Sequence, residues 1–258
     1  MDEINGVLLD IDGVLVTSWE QIPGAAKTVG WLRARGIPFR LITNTTSHSR
    51  HELARTLRDA GVDVVGDDVV TAVVMTGSYL GSHHPGAKVF LLSDGDPTAD
   101  LPEVQLVEDG ADVVVIGGAG TDFSYERLNR AFGMLMGGAA LIGMHRNMYW
   151  RTKEGLQLDG GAFIVGLEEA TGRKAVICGK PSPMFFHEAV RMVGTPLERT
   201  AMVGDDIVND VLGAQAAGLV GILVRTGKFM PTDLESPSNK PDHVIDSIAD
   251  LPGLFRPS

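Results

Sequence analysis

The stretch Val7-Leu8-Leu9-Asp10-Ile11-Asp12-Gly13-Val14-Leu15-Val16 limits the possible folds more than any other part of the chain. Branched aliphatic residues in succession, without polar alternation, mark a strand covered on both faces, which belongs in a parallel sheet flanked by helices. The run meets two carboxylates two residues apart at the carboxyl end of that strand. Ligands of open α/β sheets bind at this edge, so Asp10 and Asp12 stand where chemistry is expected. At ~3.3 Å per extended residue their Cα atoms lie about 7 Å apart, near enough to share one cation. Gly13 then lets the backbone turn away. The same acids could equally solvate a loop or cap a turn, and this stretch alone does not separate the two readings. An EF-hand fits poorly, because its calcium loop needs further oxygen ligands and a closing Glu where this chain has Val14-Leu15-Val16.

The chain continues as an alternation of strands and helices. After a loop over residues 17–22, Pro23 and Gly24 introduce a helix over 25–35 that Gly36 stops. A strand over 39–43 ends in Thr43-Asn44-Thr45-Thr46-Ser47, and a helix over 49–60 carries Leu53 and Leu57 on one face. Hydroxyls and amides just before a helix N-terminus make either an anion site or an ordinary cap. Strand, helix, strand, helix in this order implies right-handed crossovers and a parallel sheet. A helix over 71–80 leads into residues 81–86, a linker by composition, in which His83 and His84 lack a third ligand for a metal.

A second α/β series begins there, with strands over 88–92, 112–117 and 140–144 and a helix over 124–136. It makes an insertion with a small core of its own. Its most distinctive loop, residues 145–151 from His145 to Arg151, passes through Lys153, Glu154 and Gly155 to Asp159 and a helix ending near Thr171. Mixed aromatic and basic groups suit recognition of an anionic substrate, but they suit a dimer interface or a packed hairpin as well. The expected division is a core of residues 1–80 and 178–258 interrupted by a cap of residues 81–177.

The core resumes through residues 176–178 to Gly179-Lys180-Pro181-Ser182-Pro183. Ser182 as N-cap, Pro183 at the first position and Gly194 as stop define a helix over 183–193, so Lys180 precedes a helix N-terminus where an anion is favoured. A strand over 201–206 ends in Asp205 and Asp206, with Asp210 following. A helix over 211–217, a strand over 220–224 and an edge at Val244-Ile245 complete the series. Four strand ends thus carry Asp10/Asp12, Thr43/Asn44, Lys180 and Asp205/Asp206/Asp210. Five carboxylates at one sheet edge would raise one another's pKa unless a cation joined them, so a divalent metal is implied. Its ligands are hard oxygens without histidine, which points to Mg²⁺. A metal, a lysine and hydroxyl or amide donors around a carboxylate suit phosphoryl transfer.

In order and spacing, Asp10-Ile11-Asp12-Gly13-Val14-Leu15, Thr43-Asn44, Gly179-Lys180-Pro181 and Gly204-Asp205-Asp206 with Asp210 resemble the four motifs of the haloacid dehalogenase superfamily. The resemblance spans essentially the whole chain, and the large insertion is similar to the cap of the nagD-type subgroup. The residues around Tyr149, Gly155-Leu156, Leu167-Glu168 and Gly179-Lys180-Pro181-Ser182-Pro183 resemble the phospholysine/phosphohistidine inorganic pyrophosphate phosphatase group within it.

That resemblance implies an α/β fold, a Rossmann-like parallel sheet with helices on both faces plus an inserted α/β cap. It implies Asp10 as nucleophile, forming an aspartyl-phosphate, and Asp12 as the acid that protonates the leaving oxygen and then activates water, its carbonyl binding Mg²⁺. Thr43 and Asn44 would hold phosphoryl oxygens and Lys180 would neutralise charge. Asp10, Asp12 and Asp205 would bind Mg²⁺, with Asp206 and Asp210 acting through metal-bound water or by orienting Lys180. The expected activity is a Mg²⁺-dependent phosphatase acting on a small phosphorylated metabolite, phosphoamino acid or pyrophosphate. The alternatives are a phosphate-sensing or phospho-accepting signalling module and a phosphomutase.

Composition bears on partners. The 33 acidic and 22 basic residues give a net charge of −11, which opposes adsorption to nucleic acid or an anionic membrane. Met1-Asp2-Glu3 lacks a basic n-region, and the uncharged run 131–144 is too short to cross a bilayer. A single cysteine, Cys178, excludes an intramolecular disulfide, fits a reducing cytoplasm, and at the end of an apolar run reads as an inert buried thiol. The expected partner is a small phosphorylated substrate, with neither nucleic acid nor membrane, and a homodimer through the cap is compatible with the subgroup.

Overall fold

The structure, a computed structural model, describes residues 4–101, 104–152, 155–238 and 240–255. It divides into two compact units. One comprises Met1–Thr43, Arg50–Val70 and Lys180–Ser258, the other Asn44–Ser49 and Thr71–Gly179.

The first unit is built on a six-stranded sheet in the order His243–Ile245, Val220–Val224, Thr200–Gly204, Gly6–Asp10, Phe39–Thr43, Val69–Thr71. The ladders linking its first five strands are all parallel. Gly6–Asp10 is an inner strand because every residue in it can be buried. Leu8 and Leu9 are wholly enclosed, which stabilises the fold by roughly 1.5–3 kcal/mol each. Successive side chains point to opposite faces. Val7 and Leu9 enter a core with Val29, Leu32, Leu53, Leu57, Ile248 and Leu251, and the helix Pro183–Val193 packs on Gly6–Asp10 and Phe39–Thr43. Pro183 opens that helix and Gly194, at φ 81°, closes it.

The opening apolar run is not one strand. It stops at Asp10, and the Ile11 carbonyl accepts hydrogen bonds from the Leu15 and Val16 N–H groups (2.9 and 3.1 Å), folding residues 11–16 into a compact turn. The loop expected over 17–22 contains a small hairpin, Val16–Thr17 against Glu20–Gln21, with Ser18 and Trp19 both at positive φ (52° and 65°) as a tight two-residue turn requires. The helix expected over 211–217 also differs. A π-helical segment, Ile207–Leu212, precedes the α-helix Gly213–Ala216, because the Asp206 side chain accepts from the Val208 and Asn209 N–H groups and starts the helix early.

The second unit has a five-stranded sheet in the order Val176–Ile177, Ala140–Gly143, Val113–Ile116, Lys88–Leu92, Gln105–Leu106, parallel throughout. Phe90, Leu92, Val114, Ile116, Leu135, Leu141 and Ile164 form its core. The loop after residue 145 folds into an antiparallel hairpin, Tyr149–Thr152 with Gly155–Leu158, whose Tyr149, Leu156 and Leu158 are exposed. Lys153 and Glu154 lie outside the described residues.

The division falls at 70/71 and 179/180 rather than at the expected 80/81 and 177/178. The helix Ala72–His83 packs on the turn Pro97–Asp100, so closely that a Cβ on Gly77 would lie 3.0 Å from the Asp100 carbonyl. This helix also replaces the linker expected from residue 81 onward. His83 is helical and stacks on Tyr79 (4.2 Å between centroids), and the chain turns only at Pro85 and Gly86. Residues 44–49 join the second unit through Thr46, whose hydroxyl accepts the Gly118 N–H at 3.0 Å. Cys178 is fully buried, and burial pushes its thiol up to about 12 despite a hydrogen bond with Thr76.

Candidate active site

The strand order brings several of the singled-out residues to one edge of the first unit. Asp10 ends Gly6–Asp10, and Ile42 of the next strand is its register partner, so Thr43 follows one position beyond. On the other side Val203 pairs with Leu9, and the chain runs on through Gly204 to Asp205. Lys180 opens the helix-bearing segment between them. Lys180 Nζ donates to Asp10 Oδ1 at 2.6 Å and to Asp210 Oδ1 at 2.7 Å. All three side chains are buried, as is Asp205.

The electrostatics follow from that burial. Desolvation opposes charge on Lys180, but Asp10 and Asp210 outweigh it and raise its pKa, so the ammonium persists. Burial raises the Asp10 carboxyl, against the pull of Lys180. Asp210 is pushed up to about 6 by burial, opposed by Lys180. Asp205 rises to about 8, through burial and then repulsion by Asp10 and Asp210. Asp206 goes the other way, because hydrogen bonds from Asn209 overcome the effect of burial. Asp12, in the turn after the strand, is exposed; desolvation by the surrounding protein nevertheless raises its carboxyl, opposed by Lys228 and Lys180.

Asp205 is held on one side only. Its Oδ2 accepts the Lys228 N–H at 2.7 Å, whereas its Oδ1 is buried with no hydrogen-bond partner among the described residues. A Cβ on Gly13 (φ 82°) would come within 1.9 Å of Oδ2, and one on Gly227 (φ 62°) within 2.0 Å, so both glycines are required by the approach of backbone to carboxylate. Asp10, Asp205 and Asp210 each offer a carboxylate oxygen within 4.8 Å of the others. A buried carboxylate oxygen without a donor costs on the order of 1–3 kcal/mol or more, which a divalent ion would remove. The all-oxygen donor set fits a hard cation.

Asp12 thus follows the cluster in the next turn, and Asp206 supports it, donating its own N–H to Asp210 Oδ2 at 3.2 Å. Thr43 is buried at the adjacent strand end. Asn44 belongs to the second unit, its Oδ1 beside Gly179. Sequence reasoning missed Lys228, whose Nζ lies 3.6 Å from Asp206 Oδ2. The available signal was its place just past Val220–Val224, one more strand end on the same edge.

A parallel sheet with an acid–lysine cluster at its carboxyl edge and a separate α/β unit inserted into the chain is the arrangement of a class of hydrolases. The chain belongs to the haloacid dehalogenase-like hydrolase family, and within it to the phosphatase type. A family model described as haloacid dehalogenase-like hydrolase matches residues 7–107, and one described as HAD-hydrolase-like matches residues 177–251. The chain is 36% identical over 252 residues to haloacid dehalogenase-like hydrolase domain-containing protein 2 of Homo sapiens, covering 95% of this chain and 96% of that one. It is 36% identical over 258 residues to the human phospholysine phosphohistidine inorganic pyrophosphate phosphatase, covering 98% and 94%. Among solved structures, 4-nitrophenylphosphatase from Thermotoga maritima superposes with a TM-score of 0.92 at 33% identity, over 99% and 98% of the two chains. NagD from E. coli K-12 does so at 0.88 and 29%, over 97% and 98%. Among the described residues no helix is long and apolar enough to cross a membrane.

Proposed function

We propose that this chain is a Mg²⁺-dependent phosphatase that hydrolyses a small phosphorylated metabolite, phosphoamino acid or pyrophosphate through an aspartyl-phosphate on Asp10. The observation that carries this reading is the buried Lys180 held between Asp10 and Asp210, beside an Asp205 oxygen with no hydrogen-bond partner among the described residues. Lys180 keeps positive charge next to the nucleophile and fixes the attacking carboxylate, leaving its second oxygen to the substrate. Asp10, the main-chain carbonyl of Asp12, and Asp205 would hold Mg²⁺, which when bound supplies positive charge against that of the phosphoryl group.

In the first step an Asp10 oxygen bonds to phosphorus as the bond from phosphorus to the leaving oxygen breaks, and Asp12 gives that oxygen its proton. In the second, Asp12 takes a proton from water, the water oxygen bonds to phosphorus, and the acyl phosphate linkage to Asp10 breaks. Thr43, Asn44 and Lys180 hold the phosphoryl oxygens, and Asp210 orients Lys180 while Asp206 braces Asp210. The names of the relatives support the substrate classes, one a phospholysine, phosphohistidine and inorganic pyrophosphate phosphatase, another a 4-nitrophenylphosphatase. The lone cysteine supports a reducing setting, the cytoplasm.

The test is phosphate release from p-nitrophenyl phosphate and a panel of sugar phosphates, nucleotides, phosphohistidine, phospholysine and pyrophosphate. We expect activity with Mg²⁺, its abolition by EDTA, and a fall of about 10³-fold or more in Asp10→Asn. Activity that survives chelation or Asp10→Asn would refute the mechanism. An acyl phosphate that persists for minutes would instead support the signalling module.

A further inference from the structure

Two lysines stand at the acid cluster, and the protein holds them differently. Lys180 is buried and commits two donors to Asp10 and Asp210. Lys228 is arranged differently. Its backbone is anchored, with its N–H on Asp205 Oδ2, Gly227 packed against the same carboxylate, and the neighbouring Thr226 hydroxyl donating to the Gly13 carbonyl at 2.5 Å. Its side chain is open, 67% exposed.

The one ion pair its ammonium makes among the described residues, 3.6 Å to Asp206 Oδ2, is too long for a hydrogen bond. Nor does Asp206 depend on it, since that carboxylate already accepts from the Val208 N–H, the Asn209 N–H and Asn209 Nδ2. A lysine has three N–H donors on a flexible stem. Here they sit on a fixed backbone at the solvent side of the cluster, where an incoming anion would meet them.

Sheet order indicates which part of a substrate that is. Lys228 follows Val220–Val224, two strands from Gly6–Asp10 on the flank opposite Phe39–Thr43, so it does not duplicate Thr43. The loop that carries Lys228 also abuts the turn that carries Asp12: the Thr226 hydroxyl donates to the Gly13 carbonyl, and a Cβ on Gly227 would fall 2.5 Å from the Gly13 Cα, so the Lys228 backbone stands beside the turn of the proposed proton carrier to the leaving oxygen.

We propose that Lys228 is a specificity-determining residue that binds the anionic part of the leaving group, so that the site favours phosphoanhydrides such as inorganic pyrophosphate over esters with an uncharged leaving group. This rests on the phosphatase reading above. With pyrophosphate, the bond from the bridging oxygen to the attacked phosphorus breaks, that oxygen keeps the electron pair and receives the Asp12 proton, and orthophosphate departs. Lys228 offsets the charge on that orthophosphate.

The experiment measures kcat/KM for pyrophosphate and for p-nitrophenyl phosphate in the full-length wild type, Lys228→Met and Lys228→Arg, all with Mg²⁺. The ratio of the two values should fall about tenfold or more in Lys228→Met, the scale of one charge-assisted contact, and return most of the way in Lys228→Arg. Raising the salt concentration should lower the wild-type ratio and leave that of Lys228→Met nearly level. A purely structural role would depress both substrates together, and an unchanged ratio overturns the inference however far the absolute rates fall. A wild type that cleaves p-nitrophenyl phosphate but not pyrophosphate overturns it too while leaving the phosphatase reading intact; a wild type that cleaves neither refutes that reading itself.

Discussion

At the scale of single residues, the site is a balance of buried charges that the protein alone does not close. Asp205 and Asp210 are almost fully enclosed, and Lys180 pairs with Asp10 and Asp210. A carboxyl whose folded pKa is raised binds its proton more tightly in the folded than in the unfolded chain. Its contribution to stability is complete below the ordinary value of 3.8 and is lost as pH climbs through the raised values, about 6 for Asp210 and about 8 for Asp205. Asp206, shifted downward, opposes this weakly at the acid end. The melting temperature of EDTA-treated protein should therefore fall between about pH 5 and about pH 8.5, and added Mg²⁺ should recover more of it at the higher pH. A melting temperature flat across that range, with or without Mg²⁺, would contradict the arrangement. Asp10 and Asp205 stood out in the sequence because each stands at the end of an apolar strand, and Asp206 and Asp210 because they follow Asp205 closely. Lys228 did not, because a lysine in a loop has no periodicity and only the folded backbone shows it anchored to Asp205.

At the scale of elements, the short pieces were the ones hidden in the sequence. Val16–Thr17 and Glu20–Gln21 are two-residue strands, below the length at which alternation can be seen, and their turn uses Ser18 and Trp19 where glycine or asparagine would have signalled it. The π-helical Ile207–Leu212 follows from where side chains must go, with Asp206 capping its start and Asp210 turned to Lys180. Long elements such as Ala25–Ala34 and Pro183–Val193 were visible from their proline and glycine boundaries. The second unit has a tie of its own. Glu168, buried on the helix Gly160–Thr171, accepts from Arg146 Nη1 and Nη2 (3.1 and 2.5 Å) and from the Ala175 N–H (2.9 Å). One carboxylate thereby joins the loop after Ala140–Gly143, a helix, and the approach to Val176–Ile177. Glu168→Ala removes the acceptor of all three donors and should cost about 1–3 kcal/mol in a urea titration, with Glu168→Gln intermediate. A cost below about 0.5 kcal/mol would mean that solvent replaces the tie.

At the scale of the whole molecule, the sequence displayed two parallel α/β series in succession, and the structure contains two parallel sheets. It did not display their bounds. Residues 44–49 and the helix Ala72–His83 group with the second unit through contacts such as Thr46 with Gly118 and Gly77 with Asp100, which join positions far apart in the chain. Local pattern carries no trace of such pairings. One residue reports on this organisation from within. Cys178 is the chain's only thiol, follows Val176–Ile177, and stands two positions before Lys180. Fully enclosed and with its acidity suppressed to about 12, it is closed to an alkylating reagent until the segment around it opens. Labelling of native protein should be orders of magnitude slower than labelling of a small free thiol, and its dependence on urea should separate local opening from global unfolding; labelling at the free-thiol rate would disprove the enclosure. A time course of alkylation then measures how often the strand end that delivers Lys180 comes loose.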